Sequence, residues 1–107
     1  MNKDSHGVYH SRLGDVALTV SHIERERDSP DDWELLEKNF PQERIADEVH
    51  FSNIKQVTYT EGSTYPYIEF ELGNGEDKKM FFSIGDPYKE IFKELKDRIA
   101  TYRQAYQ

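Results

Sequence analysis

The chain has 107 residues, 33% of them charged, with 14 bases against 21 acids and a net charge of −7. That length holds one domain, and Leu, Ile, Val and Phe, 24 in all, lie just above the ~20% below which a charged chain stays disordered. The lack of cysteine excludes disulfides, thiolate metal sites and cysteine catalysis; the acidity argues against phosphate-neutralising nucleic-acid binding; and no apolar run exceeds Met80-Phe81-Phe82, too short to cross a membrane.

Residues 1–6 read as a polar tail with no apolar leader core. Gly7 to Leu13 is expected as a short strand, paired through a Gly14-Asp15 turn with the alternating stretch Asp15 to Glu24, in which Val16, Leu18 and Val20 share one face. Ser29-Pro30-Asp31-Asp32 marks a helix start, with Ser29 as N-cap, Pro30 at the first position and Asp32 closing a capping box. Trp33, Leu36 and Phe40 then form one apolar stripe, and Pro41 stops the helix. This segment, 28–43, is expected as a helical insertion. It lies within Glu24 to Glu48, where ten acids face four bases, so most of the charge excess is local.

Strands are expected at Ile45 to Phe51, Ile54 to Thr60, Tyr67 to Leu72 and Lys78 to Ile84, separated by turn-forming residues. Placing Ile54 opposite Leu72, Tyr59 opposite Tyr67, and Phe70 opposite Met80 puts apolar residues on one face. The same register puts a Lys55–Glu71–Lys79 ladder on the other. Asp86-Pro87 opens a closing helix over 86–106, in which Tyr88, Ile91, Phe92, Leu95, Ile99, Tyr102 and Tyr106 recur every three or four residues. A helix of about 20 residues is roughly 30 Å long, and its stripe needs the apolar face of the sheet as partner.

Val49-His50-Phe51-Ser52-Asn53-Ile54-Lys55-Gln56-Val57, followed by a hairpin, by Phe81-Phe82-Ser83-Ile84 and by a closing helix from Asp86, resembles the pleckstrin-homology-like superfold, in particular its small prokaryotic members. The resemblance implies an α+β domain: an antiparallel bent sheet or partly open β-barrel capped by a long C-terminal helix. It also implies a role in peptide binding, protein docking or assembly. Many eukaryotic members carry a Trp in the closing helix, whereas the single Trp here is Trp33. Phosphoinositide-binding members carry a Lys/Arg cluster between the first two strands, where this chain has Arg12-Leu13-Gly14-Asp15, too few donors for a polyanion.

His22 near Glu24 and His50 near Glu48 lie in no catalytic motif, and His6 and His10 lack a third ligand, so no enzyme, cofactor or metal site is expected. The candidate interaction residues are Trp33, Tyr59, Tyr65 and Tyr67. For each the competing role is ordinary packing: docking of the insertion for Trp33, cross-strand contact for the tyrosines. The expected function is a noncatalytic, cytoplasmic protein-interaction or scaffold module, capable of self-association, whose acidic insertion steers a basic partner. The alternatives are a peripheral lipid-binding domain and, further off, a small enzyme or ligand carrier.

Overall fold

The computed structural model describes residues 7–61 and 64–106; the expected tail, 1–6, lies outside them. The elements in order are β1 (Gly7–Tyr9), β2 (Gly14–Leu18), β3 (His22–Arg27), α1 (Pro30–Asn39), β4 (Glu48–His50), a 3-10 turn (Phe51–Asn53), β5 (Ile54–Thr60), β6 (Tyr67–Leu72), β7 (Asp77–Phe81) and α2 (Tyr88–Tyr106). They build an α+β architecture of two antiparallel sheets, β1-β2-β3-β4 and β5-β6-β7. The 3-10 turn carries the chain from one sheet to the other. Segment 44–47 stitches the sheets together elsewhere: Arg25 N–H donates to Asp47 O at 2.7 Å, Ala46 N–H to Lys79 O at 2.8 Å, and Lys79 N–H to Arg44 O at 2.8 Å. The sheets do not close into a barrel, because β1 and β5 remain edges. Helix α2 reaches both edges. The Tyr9 hydroxyl donates to Glu94, and the Arg103 guanidinium donates to the carbonyls of Ile54 and Lys55 at 2.9 and 3.1 Å.

The main core explains why α2 sits there. Tyr88, Ile91, Leu95 and Ile99, with Phe92 and Tyr102 at the margin, pack against Val16, Leu18, Ile23, Ile68, Phe70, Met80 and Phe82. The expected helical stripe is therefore the buried one. A second core forms on the opposite face of the β6–β7 sheet, where Trp33 and Leu36 of α1 meet Leu13 and Phe81, flanked by Phe40, Ile45, Tyr65 and Tyr67. Two cores account for the run Met80-Phe81-Phe82: Met80 and Phe82 point into the first and Phe81 into the second. A strand covered on both faces needs no polar alternation.

Three expectations are corrected. The stretch 15–24 is not one strand but a hairpin, with Leu18 opposite Ile23. The hydroxyl of Thr19 accepts the N–H groups of Ser21 and His22 at 3.1 and 3.0 Å, a side-chain turn that reverses the chain and leaves Val20 64% exposed at its tip. The β1–β2 turn occupies 10–13, so Gly14 begins β2 rather than turning the chain. Ser29 stands in a left-handed conformation with no side-chain capping bond, and Asp32 instead accepts from Arg12 Nε at 3.1 Å, so the capping box is absent.

The hairpin registers also shift. A bulge at Lys55 moves β5 by one residue, so that Tyr59 opposes Ile68 while Ile54 still opposes Leu72. β7 slides by two, pairing Met80 with Ile68, and ends at Phe81. A two-residue slide preserves the faces, which is why the apolar pattern fits both registers. The charge ladder becomes Lys55–Glu71 at 3.8 Å, with Glu69 opposite Lys79.

Candidate interaction groove between β5 and α2

β5 is an edge strand, and its side away from β6 has no strand partner among the described residues. Beside it runs a groove of about 600 Å³, with β5 from Ile54 to Tyr59 as one wall and Phe92, Lys96, Ile99, Ala100 and Arg103 of α2 as the other. The volume falls in the ~300–1,000 Å³ range of ligand clefts. Its floor is apolar because the bulge turns Val57 and Tyr59 toward the helix: the Tyr59 ring lies edge-on to Phe92 at 4.8 Å and to Tyr88 at 6.2 Å. Arg103 spans the cleft on its two carbonyl bonds. Beyond it the depression continues past Phe51 and Ser52 to Tyr102 and Tyr106, whose rings lie 4.6 Å apart. The charged side chains on the rim, Lys55, Lys96 and Arg103, are all basic.

The four candidate residues do not form one patch. Tyr59, 37% exposed, lies in the groove. Tyr65 and Tyr67 lie on the opposite face, against Phe40 and Phe81 of the second core. Trp33 is 5% exposed; its indole N–H donates to Leu13 O at 2.8 Å, and the guanidinium of Arg27 stacks on its ring at 3.8 Å. Its observed contacts are those of docking. Of the groove residues on α2, Phe92 and Ile99 belong to the expected apolar stripe, while Lys96, Ala100 and Arg103 carry no signal in the sequence. A groove needs the helix set against a particular strand.

Many acids of the insertion region are engaged by bases of the same chain. Arg27 takes Glu37 at 3.2 Å and Asp47 at 2.9 Å, Lys79 takes Glu43 at 2.6 Å, and Arg12 takes Asp32. Hydrogen bonding to Glu43 raises the Lys79 pKa above its usual value. Burial pulls Arg27 down, but Asp47 and Glu37 outweigh it and leave its pKa raised.

Arg25 is the buried charge of the fold. It is 5% exposed, donates to Phe81 O and to Ser11 Oγ, and lies over the Phe82 ring at 4.6 Å, while its Nε has no hydrogen-bond partner. Burial depresses its pKa to about 10, so it stays protonated at neutral pH. It joins β3, β7 and the β1–β2 turn at the seam between the two cores.

No family model matches the sequence, and neither the curated proteins nor the solved structures include one similar to it. Among the described residues no helix is long and apolar enough to cross a membrane.

Proposed function

We infer that the chain is a noncatalytic protein-interaction module of pleckstrin-homology-like organisation, which takes an extended segment of its partner into the groove between β5 and α2. The observation that carries this reading is the juxtaposition of an unpaired strand edge with a preformed apolar cleft. Backbone groups on the edge supply affinity by adding a strand, and the cleft receives alternate side chains. The stretch Gln56–Thr60, five residues at ~3.4 Å each, offers roughly 17 Å of edge. The basic rim favours a segment whose apolar residues are flanked by acids. The acidic insertion remains a long-range steering element for a partner with a basic surface elsewhere, weakened by its internal ion pairs. The order of elements, two antiparallel sheets followed by a packed C-terminal helix, supports the fold reading.

The test is selection from a library of extended peptides, followed by binding to Ala100→Glu, which fills the groove from an exposed helical position. Selected ligands are expected to carry alternating apolar residues, to lose at least tenfold in affinity with Ala100→Glu, and to be unaffected by Glu34→Lys on α1. Ligands lost only with Glu34→Lys, or salt-sensitive sedimentation with anionic vesicles and no peptide selected, would overturn the reading in favour of the insertion or of a membrane surface.

A further inference from the structure

On the outer face of the four-stranded sheet, far in role from the groove, β3 and β4 place four metal-ligating side chains in a square. His22 stands directly opposite His50, and Glu24 directly opposite Glu48. Residues two apart on a strand share a face, so all four project to the same side. The His22 and His50 ring centroids are 5.2 Å apart. His22 Nε2 lies 2.7 Å from Glu24 Oε1, and His50 Nε2 lies 3.1 Å from Glu48 Oε2. Ligand atoms of His22, Glu24 and Glu48 all fall within 4.8 Å of one another.

Two features separate this square from an ordinary polar surface. Glutamates directly opposite each other on paired strands repel and destabilise a sheet unless a positive charge lies between them. The His22 ring is also fixed from behind: its Nδ1 is 3.0 Å from Thr19 Oγ1 and 3.3 Å from Ser21 Oγ. Thr19 Oγ1 is itself held by the backbone N–H groups of Ser21 and His22. The ring therefore presents Nε2 to the square. Anchoring of one imidazole nitrogen by an outer partner while the other ligates is the arrangement that orients histidines at metal centres.

We propose that His22, Glu24, Glu48 and His50 form a binding site for one divalent transition-metal ion of the zinc class. Two imidazoles and two carboxylates suit such an ion, since imidazole prefers Zn²⁺ and its neighbours over Mg²⁺ or Ca²⁺. A tetrahedral ion with bonds of about 2.0–2.1 Å holds its ligand atoms ~3.3 Å apart. The 2.7 and 3.1 Å separations within each His–Glu pair lie near that value, while the atoms of His22, Glu24 and Glu48 must close from a spread of up to 4.8 Å and His50, outside that cluster, must swing in to complete the set. The ion would tie β3 to β4 just before the 3-10 turn that leads into β5, with the four side chains filling its tetrahedral positions. Because β5 carries the proposed groove, the clamp steadies the corner from which that edge begins, yet the site stands independently of the groove reading.

The experiment is titration of the full chain with Zn²⁺ by calorimetry and with Co²⁺ by visible absorption. The expected result is saturable binding of one ion per chain, with a d–d band of four-coordinate cobalt. His50→Ala and Glu48→Gln alter side chains that are 54% exposed, so these variants stay folded, and each is expected to weaken binding by about tenfold or more. His22→Ala is expected to abolish it, and His10→Ala, elsewhere on the chain beside Asp15, to leave it unchanged. Absence of saturable binding, or binding that survives His50→Ala and Glu48→Gln at full strength, would overturn the assignment.

Discussion

Arg25, Trp33 and Tyr9 show how single side chains hold this small domain together. Arg25 keeps a guanidinium inside the seam on two neutral acceptors and a ring face. Arg25→Ala removes both the charge and the packing of its stem and is expected to cost about 2–4 kcal/mol by chemical denaturation; Arg25→Met, which keeps the stem, is expected to cost less. Trp33→Ala deletes a buried indole and one of the two hydrogen bonds to the Leu13 carbonyl, which keeps the Asp28 N–H, for an expected loss of about 3–5 kcal/mol. The hydroxyl of Tyr9 is pushed up to about 12 by burial and by its bond to Glu94. A folded-state value above the usual 10 means that the folded chain holds the proton longer than the unfolded one. The tie is therefore fully present below pH 10 and is lost as pH rises from 10 through 12. Stability measured across that window is expected to fall more steeply for the wild type than for Tyr9→Phe. The apolar anchors among these residues were legible in the sequence: Trp33 and Leu36 share a helical stripe, and that stripe is what docks α1. Arg25 was not legible, because alternation along His22–Arg27 marks its position as inward but cannot say that a carbonyl and a ring wait there.

At the level of elements, the sequence was most informative where apolar spacing and burial coincide. The seven-residue stripe of α2 and the β6–β7 hairpin with its alternating Ile68, Phe70 and Leu72 are both found in the main core, Tyr106 excepted at the exposed end. Boundaries failed where a local hydrogen bond decided them. Thr19 turns the chain inside an unbroken alternation, and Lys55 bulges in a strand whose composition gives no sign of it, whereas α1 begins at Pro30 after Ser29 as expected and lacks only the side-chain capping bond. Gly14 is a positional requirement of another kind: its φ is +129°, and an added Cβ would lie 2.1 Å from Glu26 O. Gly14→Ala is expected to destabilise the β2–β3 hairpin by more than about 2 kcal/mol, seen as a lowered denaturation midpoint. Arg103 tests the other side of the account. Arg103→Gln gives up two exposed or half-exposed bonds, so its stability cost is expected to stay within about 1.5 kcal/mol. By removing the strap across the cleft, it is expected to let selected peptides extend toward Tyr106.

For the molecule as a whole, two sheets joined through segment 44–47, with α2 against one face and α1 against the other, leave β1 and β5 as the unpaired margins among the described residues. The acidic insertion is a second layer on the β6–β7 sheet, with Asp32, Glu37 and Glu43 committed to neighbouring bases, and the groove on the other side carries a basic rim. That division was invisible in the composition, because the three tyrosines that seem clustered along the chain are separated by the thickness of a sheet. The most direct measurement is amide hydrogen exchange along Gln56–Thr60 in the full chain, free and with a selected peptide. The account predicts that the β5 amides directed away from β6 exchange quickly in the free protein while those of β6 are protected, and that the same β5 amides become protected on binding. Protection of every β5 amide to the level of β6 without ligand, or no change on binding, would contradict it.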